Sequence, residues 1–351
     1  MKNNYMKLGD YIQSVDVRNS DLKVSHLLGV SVEKRFIESI ANTIGTDFSK
    51  YKIVKKGQFT YIPDTSRRGD KIGIALLTDF DEGLVSNIYT VFEITDTTKL
   101  LPEYLMLWFS RPEFDRYARY KSHGSVREIF DWDEMCRVEL PVPDLKEQEK
   151  IVNTYNAITK RIQLKQKINE NLEKTAECLF ENMFPNIIDN GKHRFEDIID
   201  FSNGKSRPEE LGSIPVYGGN GIMSYTNKTN AENCIAIGRV GAYCGSTYLC
   251  KSKCWISDNA IKAKYKFSEK QFFAYYLLKK ANLFERHIGT GQQLLTQGIL
   301  GMIQIDIPEK EIIEDFNTKC ESIENQILHN SNEFAKLQEL KQLVISQVSK
   351  R

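Results

Sequence analysis

Side chains able to pair with nucleobase edges or phosphates gather at several turns of this 351-residue chain. The first is Thr65-Ser66-Arg67-Arg68-Gly69-Asp70-Lys71, a basic turn between two apolar segments. Arg67, Arg68 and Lys71 could meet DNA there, or the turn could be a solvated hairpin tip. Two glycine loops follow, one carrying Ser125 and Arg127 and the other Gln292 and Gln293. Arginine and lysine suit guanine edges and glutamine suits adenine, whereas phosphate contacts only position a protein on the duplex. In Tyr217-Gly218-Gly219-Asn220-Gly221 the glycines permit close backbone approach beside Asn220. Lys228, Arg239 and Tyr243 complete the set, with a salt-bridged surface arginine and a core tyrosine as the alternative reading. The series Arg116, Arg119, Tyr120, Lys121 and His123 suits either backbone contact or the exposed face of a helix.

The seven cysteines form no disulfide framework. Cys234, Cys244, Cys250 and Cys254 fall close together, but only the Cys250/Cys254 spacing approaches that of a zinc pair. They read as unligated thiols on a strand, so neither a metal nor a cofactor is expected. Enzymatic motifs fail in turn. No Pro-Pro occurs, so the catalytic tetrapeptide that marks amino-methyltransferases is missing. Gly204-Lys205-Ser206 echoes a phosphate-binding loop, but position 199, where that loop needs glycine, is Ile199. The glycines after Ile288 follow a helix instead of a strand, which excludes a nucleotide-binding βαβ start. Asp79-Phe80-Asp81-Glu82 reads as an exposed acidic turn, and no nucleophile elbow is present.

Hydrophobic residues make up 41% of the chain and charged residues 27%, which suits a globular protein of about two domains at roughly 100–200 residues each. No apolar run is long enough for a membrane helix, and Met1 to Lys7 lacks the apolar core of a signal peptide, so a cytoplasmic protein is expected. The net charge of +1 favours no partner class; only local positive surface would matter for nucleic acid.

An internal repeat organises these elements. Gly124 and Gly289 lie 165 positions apart, and the stretches after them run in parallel without a gap. Each passes through an alternating apolar strand (Val138, Leu140, Val142; Ile303, Ile305, Ile307) to a proline and then a charged helical start. The helix after the first copy carries Ile151, Tyr155, Ile158, Ile162, Leu172 and Leu179 at heptad a and d positions. The second helix carries Phe316, Ile323, Ile327, Phe334, Leu337 and Val344 on the seam at the same offset, with Cys320 opposite Tyr155 and Phe334 opposite Asn169 in the alignment. Lys165, Asn169 and Asn330 interrupt the two seams with polar groups, which set register at a cost in stability. Matched seams in one chain predict pairing with each other; two separate amphipathic helices are the alternative.

Upstream the copies match more loosely. Leu8 to Ile12 resembles Phe195 to Ile199, and Gly73 to Asn87 resembles Gly245 to Asn259. A helical segment follows each, Pro102 to Tyr120 and Glu269 to Arg286. The span from Leu8 to Gly124 is 116 positions and that from Phe195 to Gly289 is 94, so the first front part is longer. Each half is therefore a variable mixed α/β domain followed by a long regular helix.

Across essentially its whole length the sequence resembles type I restriction specificity subunits. The resemblance rests on Leu140-Pro141-Val142-Pro143, on the helix start Leu145-Lys146-Glu147-Gln148-Glu149, on Leu172-Glu173-Lys174, and on the repetition of the whole arrangement. The second copy departs from it, with Glu311-Ile312-Ile313 where the first has Glu147-Gln148-Glu149. The resemblance implies an α/β (mixed α+β) fold: two target-recognition domains, residues 1–143 and 187–307, separated by two long antiparallel coiled-coil helices, residues 144–186 and 308–351. It implies a non-catalytic subunit that binds double-stranded DNA at a bipartite asymmetric target, docks two methyltransferase subunits and joins restriction (translocase) subunits. A helix from Asp144 to Met183 would span about 60 Å, against roughly 34–36 Å for one DNA turn. The other readings are a coiled-coil scaffold that binds protein and an orphan, methylation-only specificity subunit.

Overall fold

A computed structural model of the chain describes residues 5–39, 45–65, 71–123, 128–289 and 292–348. The chain divides into two compact units, residues 1–164 with 333–351, and residues 165–332. Among the described residues no helix is long and apolar enough to cross a membrane.

In chain order the first unit contains β1 (Tyr5–Lys7), β2 (Ile12–Val15), β3 (Leu28–Val30), β4 (Phe36–Glu38), β5 (Lys52–Lys55), β6 (Phe59–Tyr61), β7 (Ile74–Leu76), β8 (Glu82–Val85), β9 (Thr90–Ile94), α1 (Pro102–Phe109), α2 (Pro112–Lys121), α3 (Trp132–Cys136), β10 (Glu139–Pro141) and the start of α4 (Leu145–Met183). Its central sheet has the order β2-β9-β6-β7, every pair antiparallel. Both faces are covered, so β6 is buried at all three residues instead of alternating. One face packs Phe59, Tyr61 and Phe92 against Leu105, Phe109 and Phe114 of the helices, with Phe59 stacked on Phe92 at 4.9 Å. The other face carries Val91 and Ala75, over which β3, β5 and β8 bring Leu28, Val30, Val54 and Val85.

The second unit contains the rest of α4, then β11 (Ile188–Arg194), α5 (Phe195–Ile198), β12 (Ile199–Asn203), β13 (Ile214–Gly218), β14 (Gly221–Thr226), β15 (Ala231–Gly238), β16 (Thr247–Ile256), β17 (Ala260–Tyr265), α6 (Phe272–Lys280), α7 (Gln297–Gly301), β18 (Gln304–Ile305) and α8 (Lys310–Gln347), whose last part returns to the first unit. The sheet order is β12-β17-β15-β16-β13-β14. Its first four strands repeat the antiparallel order of the first unit, and the β13–β14 hairpin is added through a parallel β13/β16 pair. Ile235, Ile237, Ile261 and Ala263 bury one face against Phe180, Phe184, Phe273 and Phe316.

The duplication extends to single hydrogen bonds. Leu8 N donates to Val138 O at 2.7 Å, and Phe195 N donates to Ile303 O at 2.9 Å. Tyr89 N donates to Ser86 O and Ala260 N to Ser257 O, both at 3.0 Å, so the same turn precedes β9 and β17. The short helices α3 and α7 also match, with Asp131 and Thr296 accepting from Glu134 N (2.8 Å) and Ile299 N (3.2 Å). Sequence periodicity did not show these five-residue helices.

The helical segments expected over Pro102 to Tyr120 and Glu269 to Arg286 are each interrupted. Arg111 precedes Pro112 and is extended (φ −78, ψ 139), because a residue before proline is driven from the α region. Asn282 stands left-handed at φ 46 and separates α6 from the turn Leu283–Arg286.

Within each unit the long helices pair antiparallel. In the first unit Lys341 Nζ lies 4.9 Å from the Tyr155 ring and Arg161 pairs with Glu333, so partner numbers fall as α4 advances. In the second, Lys165 Nζ donates to Asn330 Oδ1 at 2.9 Å and Phe180 meets Phe316 at 5.4 Å between ring centres. Asn330, though a seam residue, is buried; its Nδ2 donates to Asn169 Oδ1 at 2.8 Å. Ile151, Ile162, Phe316, Leu337 and Val344 are buried, and Tyr155, Ile158, Leu172, Leu179, Ile323, Ile327 and Phe334 are half-buried.

Candidate nucleic-acid interface

In the second unit three turns converge at one end of the sheet. The β13–β14 hairpin pairs Gly218 with Gly221, which leaves Gly219 and Asn220 at its tip, with Asn220 exposed. Gly221, just after the tip, has φ +77, a left-handed conformation that glycine adopts without strain at the exit from the turn. The second turn is Arg239 to Tyr243, immediately after β15. Gly238 makes the approach of these two turns possible: a Cβ there would sit 2.0 Å from Tyr243 O and 3.0 Å from Gly219 O. The third is the loop between Ile288 and Leu294, whose backbones bond reciprocally at 3.0 Å. Gly241 N donates to Gln293 O at 3.0 Å and Leu295 N donates to Arg239 O at 2.9 Å, which fastens the third turn to the second.

Asn220, Arg239, Tyr243, Gln292 and Gln293 are thereby brought into one region. Tyr243 is 50% exposed, enough to stack on or bond a ligand. Gln292 is exposed and Gln293 half-buried. Arg239 is half-buried, and its Nε has no hydrogen-bond partner among the described residues, a donor left for an external acceptor. Lys228 lies apart, beyond the opposite end of β14, and its ammonium pairs with Glu210 at 3.0 Å.

The first unit braces its equivalent loop in the same way. His123 and Ile129 bond reciprocally, Thr65 N donates to Glu128 O at 2.9 Å, and Phe130 N donates to Pro63 O at 2.9 Å. Residues 123, 128, 129 and 130 are the 165-offset partners of 288, 293, 294 and 295. Sequence comparison missed the pairing of this loop with residues 63–65 and 239–241, because nothing local marks a contact so distant in the chain. Arg67, Arg68, Ser125 and Arg127 lie outside the described residues. Lys71 is half-exposed and pairs with Glu33 at 3.1 Å.

The basic series on α2 is largely met by acids of the same unit. Arg116 pairs with Glu113 at 3.2 Å, Arg119 with Glu128, and Lys121 with Glu134 at 3.9 Å. Tyr120 is 81% exposed. Beneath Lys71, Lys34 and Asp115 form a buried ion pair at 2.5 Å, and Asp115 also accepts from Ile72 N at 3.1 Å. Burial pushes the Lys34 ammonium below its ordinary pKa despite the opposing pull of Asp115.

Fold and turns together define a class: a duplicated protein in which one mixed α/β scaffold followed by a long helix occurs twice with different loops. A family model described as the type I restriction modification DNA specificity domain matches residues 2–174 and again 189–338. The chain belongs to this family of type I restriction-modification specificity proteins. It is 28% identical over 135 residues to the type I restriction enzyme HindI specificity subunit of Haemophilus influenzae, covering 38% of this chain and 29% of that protein. It is also 28% identical over 125 residues to the EcoprrI specificity subunit of Escherichia coli, covering 33% of this chain and 31% of that protein. The matched stretches thus span under a third of the length of these relatives. Among solved structures, the S subunit of a type I restriction-modification system from M. genitalium is similar at a TM-score of 0.61 and 14% identity, covering 100% of this chain and 98% of that one. A chain from a structure of type I restriction-modification complex assembly and conformational transition gives a TM-score of 0.51 at 18% identity, covering 98% and 96%. At such identities the likeness is one of fold.

Proposed function

We propose that this chain is the DNA-reading specificity subunit of a type I restriction-modification enzyme and catalyses no reaction itself. Residues 1–143 and 187–307 are the two readers, each taking one half of a bipartite, asymmetric double-stranded DNA target. Residues 144–186 and 308–351 space them and dock two methyltransferase subunits, to which restriction (translocase) subunits add. The observation that carries this reading is the repeated brace, Thr65 to Glu128 and Gly241 to Gln293, which ties down the described end of each copy's glycine loop in the same way while the sequences of the two loops differ. A constant scaffold with divergent loops is what two half-sites of unlike sequence demand. Asn220, Arg239, Tyr243, Gln292 and Gln293 form the reading surface of the second reader. Arg67, Arg68, Lys71, Ser125 and Arg127 are assigned to the first, and Lys228 to phosphate contact.

The test is co-expression with the methyltransferase subunits of the same system in a methylation-free host, followed by single-molecule mapping of modified bases. A two-part asymmetric motif that vanishes when this chain is omitted is the expected result. A partner that co-purifies while DNA affinity stays flat between low and high salt would instead make the chain a protein scaffold, since phosphate neutralisation imposes a log–log salt slope of about −0.9 per contact.

A further inference from the structure

On the sheet face of the second unit opposite its helices, Cys234, Cys250 and Cys254 converge. Each is 1% exposed, and their three sulfurs lie within 4.8 Å of one another. Cys234 Sγ and Cys254 Sγ are 3.9 Å apart. The fourth cysteine of the stretch, Cys244, packs into the opposite core and takes no part.

A flat strand would not produce this arrangement. Cys250 and Cys254 are four residues apart on β16, about 13 Å in an extended strand, so β16 must bend to bring their sulfurs together. On β15 the register shifts between Glu232 and Cys234, at Asn233, whose φ is +46. Opposite Asn233, β16 carries one residue more than β15, so Cys234 stands opposite Cys250 while Ala231, three residues earlier, stands opposite Cys254, four residues later. Asn233 is held there by its side chain, which donates to Glu269 O. A left-handed non-glycine residue and a bent strand both work toward one point occupied by three thiols.

Three isolated thiols would suffice as small apolar filler, but the sulfur spacing suits coordination. At a Zn–S bond of about 2.3 Å, sulfurs around one ion lie about 3.8 Å apart in tetrahedral and about 4.0 Å in trigonal geometry. We propose that Cys234, Cys250 and Cys254 form a three-thiolate site for a thiophilic d10 cation, zinc or copper(I), which clamps β15 at Asn233 to the bulge in β16. Tyr217 of β13 packs against the same cysteine cluster, and its hydroxyl is the side-chain oxygen at hand for a fourth position. Lys262 and Lys264 of β17 lie on the same sheet face as Cys234, with Lys262 opposite Ala236 in register. The same two ammonium groups offset the negative charge that three thiolates would leave around a zinc ion. Tyr217 belongs to β13, whose turn carries Asn220, so the ion would also stiffen that hairpin.

The full-length chain, expressed untagged with its partner subunits, is to be assayed for metal per chain by mass spectrometry. Wild type and the control Cys178→Ser, at an exposed cysteine, should each carry close to one zinc or copper ion. Cys254→Ser should lose at least tenfold of that content. Because a misfolded variant also loses metal, wild-type protein stripped by chelator is then titrated with Co2+; sulfur-to-cobalt charge-transfer bands saturating at one equivalent are expected. The proposal is overturned if wild type carries no more metal than Cys254→Ser and cobalt gives no such bands, or if Cys234 and Cys254 are recovered as a disulfide from protein purified under reducing conditions.

Discussion

The side chain of Gln148, in the first turn of α4, accepts from the backbone amide of Leu101 at 2.8 Å and so caps the entry to α1. Its amide also donates to Lys99 O and Pro143 O at 2.8 Å, and the residue is fully buried. At the 165-residue offset the second copy has Ile313, which is buried and apolar. There the task passes to Asn317, one turn further on, whose Oδ1 accepts from Phe273 N at the start of α6 at 2.9 Å. Each long helix is thus fastened to its own domain by one buried amide, and the departure of the second copy from the Glu147-Gln148-Glu149 pattern is a relocation of the fastener.

Gln148→Leu should therefore destabilise the first unit by about 1–3 kcal/mol, the cost of leaving buried backbone groups unpaired. Urea unfolding followed by the fluorescence of Trp108 and Trp132 measures this. An unchanged midpoint would show that the amide is not a fastener.

The buried Lys34–Asp115 pair gives a larger effect. Asp115→Ala strands a buried ammonium and an unpaired Ile72 amide, and should cost about 3–5 kcal/mol. Replacing both partners, Lys34→Met with Asp115→Leu, should recover most of that loss in the same unfolding experiment. Equal loss in the single and double variants would mean that shape rather than charge is at stake.

Much of this architecture was legible in the sequence. The heptad seams were readable because a seven-residue period leaves its mark in sequence alone, and Lys165, Asn169 and Asn330 stood out as polar interruptions that turn out to bond one another. The break at Arg111 was announced by Pro112 but masked by the helix-like apolar spacing on either side. The helices α3 and α7 are too short for periodicity to register, although Asp131 and Thr296 are recognisable caps. The cysteine group was not legible, since four cysteines looked alike until the bulge opposite Asn233 chose three of them. The convergence of Asn220, Arg239 and Gln293 rests on contacts between distant segments, for which the sequence has no local signature.

That convergence makes a specific prediction about DNA. Asn220→Ala or Arg239→Ala should weaken binding of the assembled complex by about 1–3 kcal/mol if each side chain holds a base edge. That is roughly 5- to 150-fold, with relaxed selectivity in one half of the target only. Lys228→Ala, whose ammonium already pairs with Glu210 away from the other turns, should weaken all sequences alike and by less. Titration of labelled duplexes at fixed salt checks both, and a larger, base-selective loss at Lys228 would invert the assignment.

If two separate readers each take half of a target, exchanging one of them must change one half alone. Residues 1–143 are to be replaced by the corresponding segment of another specificity subunit of known motif, and the methylated bases mapped in a methylation-free host. The expected result is a hybrid motif in which one half follows the donor and the other stays as in wild type. A motif changed in both halves, or unchanged in both, would contradict it.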